Sequence, residues 1–284
     1  MVYALVNYLA NNKKGNEALT KLKEIYKDNE IKIKDIVQTD IKSFFDELSL
    51  DDIVIICGGD GTLNHFINDI DLHKLQQDIF FLPVGSGNDF AHDVEGLVDK
   101  ENGLIKINRF VESLPVITVR EKKYRFINGI GYGLDGFVCE QGDRVRSSSD
   151  KKVNYTNIAL NGVLFKYKPV NASIIVDGQI KNYEKVWLAP TMLGKYYGGG
   201  MMITPAQHRL NTEHTVSVAV WKGTGRLTTL ARFPSVFTGQ HVNKEDMFEV
   251  RTGHEVTVRF DRPMSLQIDG EVVRDVTEYS VSYN

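Results

Sequence analysis

The segment Gly58-Gly59-Asp60-Gly61-Thr62-Leu63-Asn64 directly follows the apolar run Ile53-Val54-Ile55-Ile56-Cys57. A short apolar run rich in β-branched residues predicts a buried strand, and the glycines after it allow a tight turn. Backbone N–H groups in such a turn can approach a phosphate closely. The alternative is an ordinary strand-to-helix connection with Asp60 or Thr62 as the helix N-cap.

A second loop of similar character favours the phosphate-binding interpretation. Its sequence is Phe81-Leu82-Pro83-Val84-Gly85-Ser86-Gly87-Asn88-Asp89-Phe90-Ala91, and it follows the first loop after about one βα unit. Two glycine-rich strand ends one helix apart converge at the carboxyl edge of a parallel sheet, where such sheets bind their ligands. The sequence therefore predicts a nucleotide site at this edge.

At these residues the chain resembles the diacylglycerol kinase-like lipid kinases, which include the sphingosine kinases and their bacterial relatives. The first loop alone is also similar to that of NAD kinases and phosphofructokinases, whereas the second loop resembles the lipid kinase version. Tyr196-Tyr197-Gly198-Gly199-Gly200-Met201 with Pro205, and later Ile268-Asp269-Gly270-Glu271, extend the resemblance over most of the chain.

The hydrophobic pattern changes near residue 110, which predicts two domains, 1–112 and 113–284. The first alternates strands and helices, as in an α/β domain with a parallel sheet. The second is β-rich and indicates an antiparallel sheet. Its expected strands are Val116–Val119, Tyr124–Asn128, Ala172–Val176, Trp187–Pro190, Thr215–Trp221, Glu255–Phe260 and Ser265–Ile268, with helices at Asn154–Phe165 and Leu227–Phe233.

The resemblance implies the same architecture. It predicts an NAD kinase/phosphofructokinase-like α/β domain, then an antiparallel β-sandwich domain, with the active site in the cleft between them. The family commonly returns its C-terminus to the first domain, so the last residues here are expected either to do so or to end as a strand.

The predicted nucleotide site uses residues of both glycine loops. Backbone glycines and the Thr62 hydroxyl suit phosphates, while Asp60 suits the magnesium ion of the nucleotide. Thr39 follows the predicted strand Lys32–Val37 and is similar to a threonine that the family uses. The complete expected set is Thr39, Gly58, Gly59, Asp60, Gly61, Thr62, Leu63, Asn64, Ser86, Asn88 and Asp89.

Two acidic residues are candidates for the general base. Asp269-Gly270 between apolar residues is also a strong signal for a tight hairpin turn, and Asp177-Gly178 has the same pattern and is expected to be only a turn. The resemblance separates them, because Asp269-Gly270-Glu271 matches a family motif whose acidic residue serves as base. We expect Asp269 to be the base, with Glu271 as the alternative.

A structural magnesium ion is a further expectation from the resemblance. Many bacterial members hold it with a carboxylate and nearby backbone carbonyls. Here Glu213 would supply the carboxylate, and Leu210 and Thr215 the carbonyls. However, the Asp-Gly pair of the family is replaced by Glu213-His214, so an ordinary polar loop is an equal alternative.

Two further positions depart from the family pattern. Ile117 occupies the place where relatives carry an aspartate in the strand after the domain crossover, and Asn7-Tyr8 stands where the family usually has Asn-Pro. The loss of the acid at residue 117 keeps a non-catalytic regulator open as an alternative.

Composition limits the class of protein. The chain has 284 residues, 42% hydrophobic and 25% charged, with a net charge of −3, which argues against a nucleic-acid partner. Two cysteines, no charged leader and no long apolar run predict a cytoplasmic protein. Arg144, Arg146, Lys151 and Lys152 flank Ser147–Ser149; they form either a patch for the inner membrane face or, the expectation we prefer, a solvated loop.

The sequence thus predicts an ATP-dependent lipid kinase that uses Mg²⁺ to phosphorylate the hydroxyl of diacylglycerol or a similar lipid at the membrane surface. A kinase of a soluble acceptor such as NAD is the alternative enzyme. A lipid acceptor predicts an apolar slot lined by Leu160, Val163, Leu164, Phe165 and Leu193, although the same side chains suit a core. A homodimer stays open.

Overall fold

The computed structural model describes residues 1–9, 15–26, 30–148 and 153–283. It divides into two compact units, Met1–Leu114 and Pro115–Asn284. Each has its own sheet and its own hydrophobic core.

The first unit is built on a five-stranded sheet. Its strands are β1 (Val2–Val6), β2 (Ile31–Asp35), β3 (Ile53–Gly58), β4 (Asp78–Pro83) and β5 (Ile105–Lys106). They lie in the order β2-β1-β3-β4-β5, and all neighbours are parallel except β4 and β5. The mostly parallel sheet predicted from the alternation of strands and helices is confirmed.

The helices of the first unit follow its strands and bury one face each. They are α1 (Gly15–Ile25), α2 (Ile41–Asp46), α3 (Asp60–Asp69), α4 (Asp89–Asp93) and α5 (Asn108–Val111), with 3₁₀ turns at Leu72–Lys74 and Glu95–Leu97. In α3 the buried side chains Leu63, Phe66 and Ile67 recur at helical spacing, so one face of the helix belongs to the core.

The second unit is built on a ten-stranded sheet in which every described pair is antiparallel, as predicted. Its strands, together with the small β12–β13 hairpin, are β6 (Val116–Val119), β7 (Lys122–Arg125), β8 (Gly129–Tyr132), β9 (Val170–Val176), β10 (Gln179–Val186), β11 (Thr191–Met192), β12 (Tyr196–Tyr197), β13 (Met201–Met202), β14 (Val216–Trp221), β15 (Phe248–Gly253), β16 (Glu255–Ile268) and β17 (Glu271–Ser282).

The long strands β16 and β17 form the centre of this sheet. The main order is β15-β14-β11-β8-β16-β17-β6-β7, and β16 also pairs with β9, which pairs with β10. The end of β17 pairs with β6, so residues up to Ser282 belong to the sheet of the second unit. Ile117 of β6 is fully buried opposite Val281, which explains why an apolar residue suits that position.

The helical elements of the second unit lie between its strands in sequence. They are α6 (Leu134–Ser148), α7 (Tyr155–Asn161), a π-helical turn (Gly162–Lys166), α8 (Arg226–Arg232) and the 3₁₀ segments Phe233–Phe237 and Gln240–Asn243.

Three predictions about these elements are wrong in detail. The expected loop at Arg144 and Arg146 is the end of α6, where Arg144 pairs with Glu140 one helical turn away. Ser147 and Ser148 lie in the same helix, whereas Ser149, Lys151 and Lys152 lie outside the described residues. The predicted helix Asn154–Phe165 ends as α7 at Asn161 and continues as the π-helical turn. Trp187–Pro190 makes only isolated bridges, through Leu188.

Candidate functional site

The two glycine loops of the first unit touch backbone to backbone. Because β3 and β4 are parallel neighbours, the loops that follow them begin at the same sheet edge, and Val84 N–H donates to the Gly58 carbonyl at 2.8 Å. A Cβ on Gly85 would lie 2.5 Å from the Gly59 Cα, so no larger residue fits there without movement. The structure therefore brings the two predicted loops together.

Asp60 joins the first loop to the second. Its carboxylate accepts the backbone N–H of Asp89 at 3.0 Å and that of Phe90 at 2.9 Å, where α4 begins. The N-cap of its own helix is Gly59, so the alternative in which Asp60 or Thr62 caps α3 is not observed. Carboxylate oxygens are hard ligands of the kind that Mg²⁺ takes in proteins. Asp60 thus fits the predicted magnesium contact.

Asn88 closes the second loop. Its backbone is left-handed, with φ 54° and ψ 41°, a conformation that asparagine tolerates better than most residues. Its side-chain oxygen accepts from Gly85 N–H and its amide donates to the Gly85 carbonyl, both at 3.0 Å. Ser86 is exposed at the loop, whereas Asp89 is buried in α4. Asn88 therefore shapes the loop on which Ser86 lies.

Thr62, Leu63 and Asn64 point into the fold. All three are buried, and the Thr62 hydroxyl accepts from the Asn7 amide at 2.8 Å. A Cβ on Gly58 would lie 2.3 Å from the Thr62 hydroxyl oxygen, whereas one on Gly61 would have no heavy atom within 4 Å. An added side chain at Gly61 would thus enter open space beside the first turn of α3, whereas Thr62, Leu63 and Asn64 support that turn. Asn7, at the end of β1, is a supporting residue to which the sequence assigned no role.

Thr39 lies away from the two loops in sheet order. It follows β2, which β1 separates from β3, and its hydroxyl donates to the Asp35 carbonyl at 2.7 Å. This bond holds its own turn, and a nucleotide contact at Thr39 stays a prediction.

In the second unit, Asp269 lies in the two-residue turn between β16 and β17. Its carboxylate accepts three backbone N–H groups, from Ile127 at 2.6 Å and from Asn128 and Gly129 at 2.9 Å. Its backbone is left-handed with φ 46°, and Gly270 follows with φ 102°. Asp269 therefore fixes the segment at the start of β8 through its side chain.

Asp177 holds a turn in the same way. It lies between β9 and β10 with φ 49°, and its carboxylate accepts the N–H groups of His254 at 2.9 Å and Glu255 at 2.8 Å. The prediction that Asp177-Gly178 is a turn is confirmed. Because Asp269 and Asp177 share backbone and hydrogen-bonding pattern, the turn alone does not mark Asp269 as a base.

Glu271 differs from Asp269 in its surroundings. It is exposed at the first position of β17. It also lies near Cys139 of α6, whose thiol pKa is raised to about 12 by burial and further by the charges of Asp135, Asp143 and Glu271.

Arg209 supports the same segment from another part of the sheet. Its guanidinium donates to the Ile127 carbonyl and, at 3.0 Å, to the side-chain oxygen of Asn128. Arg209 therefore donates to oxygen atoms of residues 127 and 128, while Asp269 accepts from backbone N–H groups of residues 127–129. No motif surrounds Arg209, so this role could not be predicted from the sequence.

The predicted structural magnesium site is occupied by internal hydrogen bonds. The Thr215 carbonyl accepts from the side-chain amides of Gln207 at 2.9 Å and Asn211 at 3.1 Å, which uses the lone pairs that a cation needs. Glu213 and Leu210 are exposed. Within 1–9, 15–26, 30–148 and 153–283 no cluster of three or more His, Cys, Asp or Glu side chains suits a metal. The described geometry does not fit the ion.

A buried polar group lies at the start of α6. Tyr197 donates to Asp135 Oδ2 at 2.7 Å, while Asp135 Oδ1 and the Tyr167 hydroxyl are buried without a hydrogen-bond partner. Burial raises the pKa of Asp135 to about 7, against the opposing effect of the Tyr197 hydrogen bond. Tyr197 ends β12, the first strand of the hairpin whose tip, Gly198–Gly200, has positive φ at every glycine.

The predicted apolar slot is not formed by the named residues together. Val163 and Leu193 are 2% exposed and belong to the core, whereas Leu160 and Phe165 are 43% and 75% exposed. These side chains therefore divide between core and surface.

Comparison with known proteins finds a separate family model for each of two parts of the chain. A family model described as the diacylglycerol kinase catalytic domain matches residues 1–119, and one described as the YegS C-terminal NAD kinase beta sandwich-like domain matches residues 128–280. The chain belongs to the diacylglycerol kinase-like family. Family membership supports a phosphotransferase.

Individual members of the diacylglycerol kinase-like family resemble the chain over most of its length. Diacylglycerol kinase of Mycobacterium tuberculosis is 25% identical over 235 residues, which are 78% of this chain and 70% of the relative. A diacylglycerol kinase structure from Bacillus anthracis has a TM-score of 0.62 at 18% identity and covers 99% of this chain and 93% of its own. The latter likeness shows the fold.

Proposed function

We propose that the protein is an ATP-dependent lipid kinase that transfers the γ-phosphate of ATP to the hydroxyl of diacylglycerol or a similar lipid. The observation that carries the proposal is the junction of the two glycine loops, where the Asp60 carboxylate holds the N–H groups at the start of α4. Relatives named diacylglycerol kinase support a lipid acceptor over a soluble one such as NAD.

In this proposal the first unit binds the nucleotide. The exposed Ser86 and the backbone at Gly61, where an added Cβ would meet no heavy atom within 4 Å, would contact phosphates. Asp60 would hold the magnesium ion of the nucleotide. Bound magnesium would neutralise charge on the phosphate oxygens.

The second unit would supply the base that accepts the proton of the lipid hydroxyl. Asp269 as base stays a prediction, but its three backbone hydrogen bonds favour a positioning role. Glu271 has a solvent-exposed carboxylate on the same turn and is the base we favour. A positioned carboxylate base contributes about 10²–10⁴-fold to the rate.

A non-catalytic regulator is a second candidate, and one observation favours it. Ile117 is fully buried where relatives carry an acid, so no carboxylate can be expected from that position.

The test offers ATP labelled on the γ-phosphate, with magnesium, to the purified protein. Acceptors are mixed micelles of diacylglycerol, ceramide, sphingosine or monoacylglycerol, with NAD as the soluble control. We expect label in an organic-phase product. Label in NAD would move the assignment to a soluble-acceptor kinase, and nucleotide binding without label in any acceptor would support the regulator.

A further inference from the structure

Large apolar side chains are exposed on the helical elements of the second unit. Phe165 of the π-helical turn is 75% exposed and Leu227 of α8 is 77% exposed. Leu160 of α7 and Phe237 of the following 3₁₀ segment are 43% and 47% exposed. Four exposed apolar side chains on consecutive helical elements exceed the scattered single residues of an ordinary surface.

The two most exposed side chains flank one junction. The Arg226 guanidinium, next to Leu227 in sequence, donates to the Val163 carbonyl, two residues before Phe165. Val163 and Tyr167 on either side of Phe165 are each 2% exposed. Phe165 is therefore exposed on a segment whose neighbouring side chains are anchored in the core.

The same segments carry only positive charge. Residues 153–170 and 222–244 contain no Asp or Glu, although the whole chain has a net charge of −3. Their cations are Lys166, Lys168, Lys222, Arg226, Arg232 and Lys244. Lys166, Lys168 and Arg232 are exposed. Exposed aromatic and leucine side chains beside cations are typical of surfaces that lie on anionic bilayers.

We propose that this helical face, formed by residues 155–168 and 226–237, docks on an anionic lipid bilayer, with Phe165 and Leu227 inserted among the lipids. The proposal rests on the proposed function, since it would present the second unit to a lipid acceptor. The part of the chain that the structure describes contains no helix long and apolar enough to cross a membrane. The docking is therefore proposed to be peripheral.

A second copy of the chain is a poorer occupant of this face. Two copies facing each other across a two-fold axis would bring their lysines and arginines together, and like charges at an interface disfavour association. An anionic bilayer instead attracts those cations and buries the same apolar side chains.

The test measures binding of the full chain to vesicles by co-sedimentation. Vesicles of phosphatidylcholine alone are compared with vesicles that contain phosphatidylglycerol. The variant carries Phe165→Ser and Leu227→Ser, and the control is Ile180→Ser on β10, whose side chain is 65% exposed in the same unit. Circular dichroism and the melting temperature verify that each variant is folded.

We expect binding to anionic vesicles that weakens with salt and falls about tenfold or more in the double variant, with Ile180→Ser unchanged. Equal binding to neutral vesicles, or no loss in the folded double variant, would overturn the proposal. So would conversion of a dimer to a monomer by the double variant together with unchanged vesicle binding.

A second measurement separates this proposal from the proposed function. Diacylglycerol with short chains is offered below its micellar concentration, where no bilayer is needed. We expect the double variant to retain activity on this monomeric lipid and to lose activity on vesicles. Absence of activity on both in the unmodified protein would refute the lipid kinase, while the vesicle-binding result would still decide the docking surface.

Discussion

Asp60 and Asp269 each use a carboxylate to hold backbone N–H groups of a distant segment. Asp60 accepts from residues 89 and 90, and Asp269 accepts from residues 127–129. Hydrogen bonds to an ionised acceptor are stronger than neutral ones. At the scale of single residues, one aspartate side chain therefore positions each of two segments that lie far away in the sequence.

The contact between Gly59 and Gly85 gives a prediction about packing. Gly85→Ala should destabilise the protein by about 1–3 kcal/mol, because the new methyl group would lie 2.5 Å from the Gly59 Cα. Gly61→Ala is the matched control and should change stability by less than about 0.5 kcal/mol, since its methyl group meets open space. Urea unfolding measures both. Equal effects of the two substitutions would contradict the close approach.

Asp135 gives a prediction about pH. Burial raises its pKa from 3.8 to about 7, so the unfolded chain releases this proton at a lower pH than the folded protein. The free energy of unfolding therefore falls as pH rises from about 4 to about 7, because the carboxyl ionises more readily in the unfolded chain than in the folded protein. Asp135→Asn should stabilise the protein by on the order of 2–4 kcal/mol above that window and little below it.

The measurement for Asp135 is the free energy of unfolding of both proteins between pH 4 and 8. A gain for Asp135→Asn that is independent of pH would show that the carboxyl does not titrate in this window. A loss at every pH would show that the ionised group makes favourable contacts in the folded protein.

At the scale of elements, a prediction from the sequence is correct where its signal is local in the chain. The strand predicted at Ile53–Cys57 is observed as β3, because a continuous apolar run between turn residues is local information. Helix α6 was not expected, although Leu134, Phe137 and Val138 recur at helical spacing and pack in the core of the second unit. Gly136 and Gly142 within the helix weaken this signal, because glycine has a low helix propensity.

The candidate site likewise has one feature that the sequence predicts and others that it does not. Convergence of the two glycine loops follows from strand order in a parallel sheet and could be expected from the sequence. The hydrogen bonds that hold the loops could not be predicted from the sequence. Asp60 and Asp269 bind partners that are 29 and about 140 residues away along the chain. No local pattern encodes such contacts. The sequence therefore indicated that the two glycine loops meet, but not which backbone N–H groups Asp60 and Asp269 hold.

The loop between Gln207 and Thr215 gives a prediction about metal removal. Without nucleotide, EDTA should change the melting temperature by less than about 1 °C, because the amides of Gln207 and Asn211 already satisfy the Thr215 carbonyl. Asn211→Ala should cost about 1 kcal/mol of stability, since its amide bonds are lost. A fall of several degrees in EDTA that magnesium restores would demonstrate a structural ion.

At the scale of the whole molecule, net charge and local charge point to different partners. The net charge of −3 argues against nucleic acid, yet the helical face formed by residues 155–168 and 226–237 carries only cations. A composition average hides such a face because acidic residues elsewhere offset it. The two units also have separate cores, so substitutions in one sheet need not disturb the other.

The most direct test of the lipid kinase is the rate of phosphate transfer from Mg-ATP to diacylglycerol, measured side by side for the unmodified protein and Glu271→Gln. We predict organic-phase label from the unmodified protein and a fall of about 10²–10⁴-fold in Glu271→Gln, with ATP affinity unchanged. Asp269→Asn, measured alongside, should lose stability as well as rate. An unmodified protein that binds Mg-ATP but labels no lipid would contradict the account, and full activity in Glu271→Gln would remove Glu271 as the base.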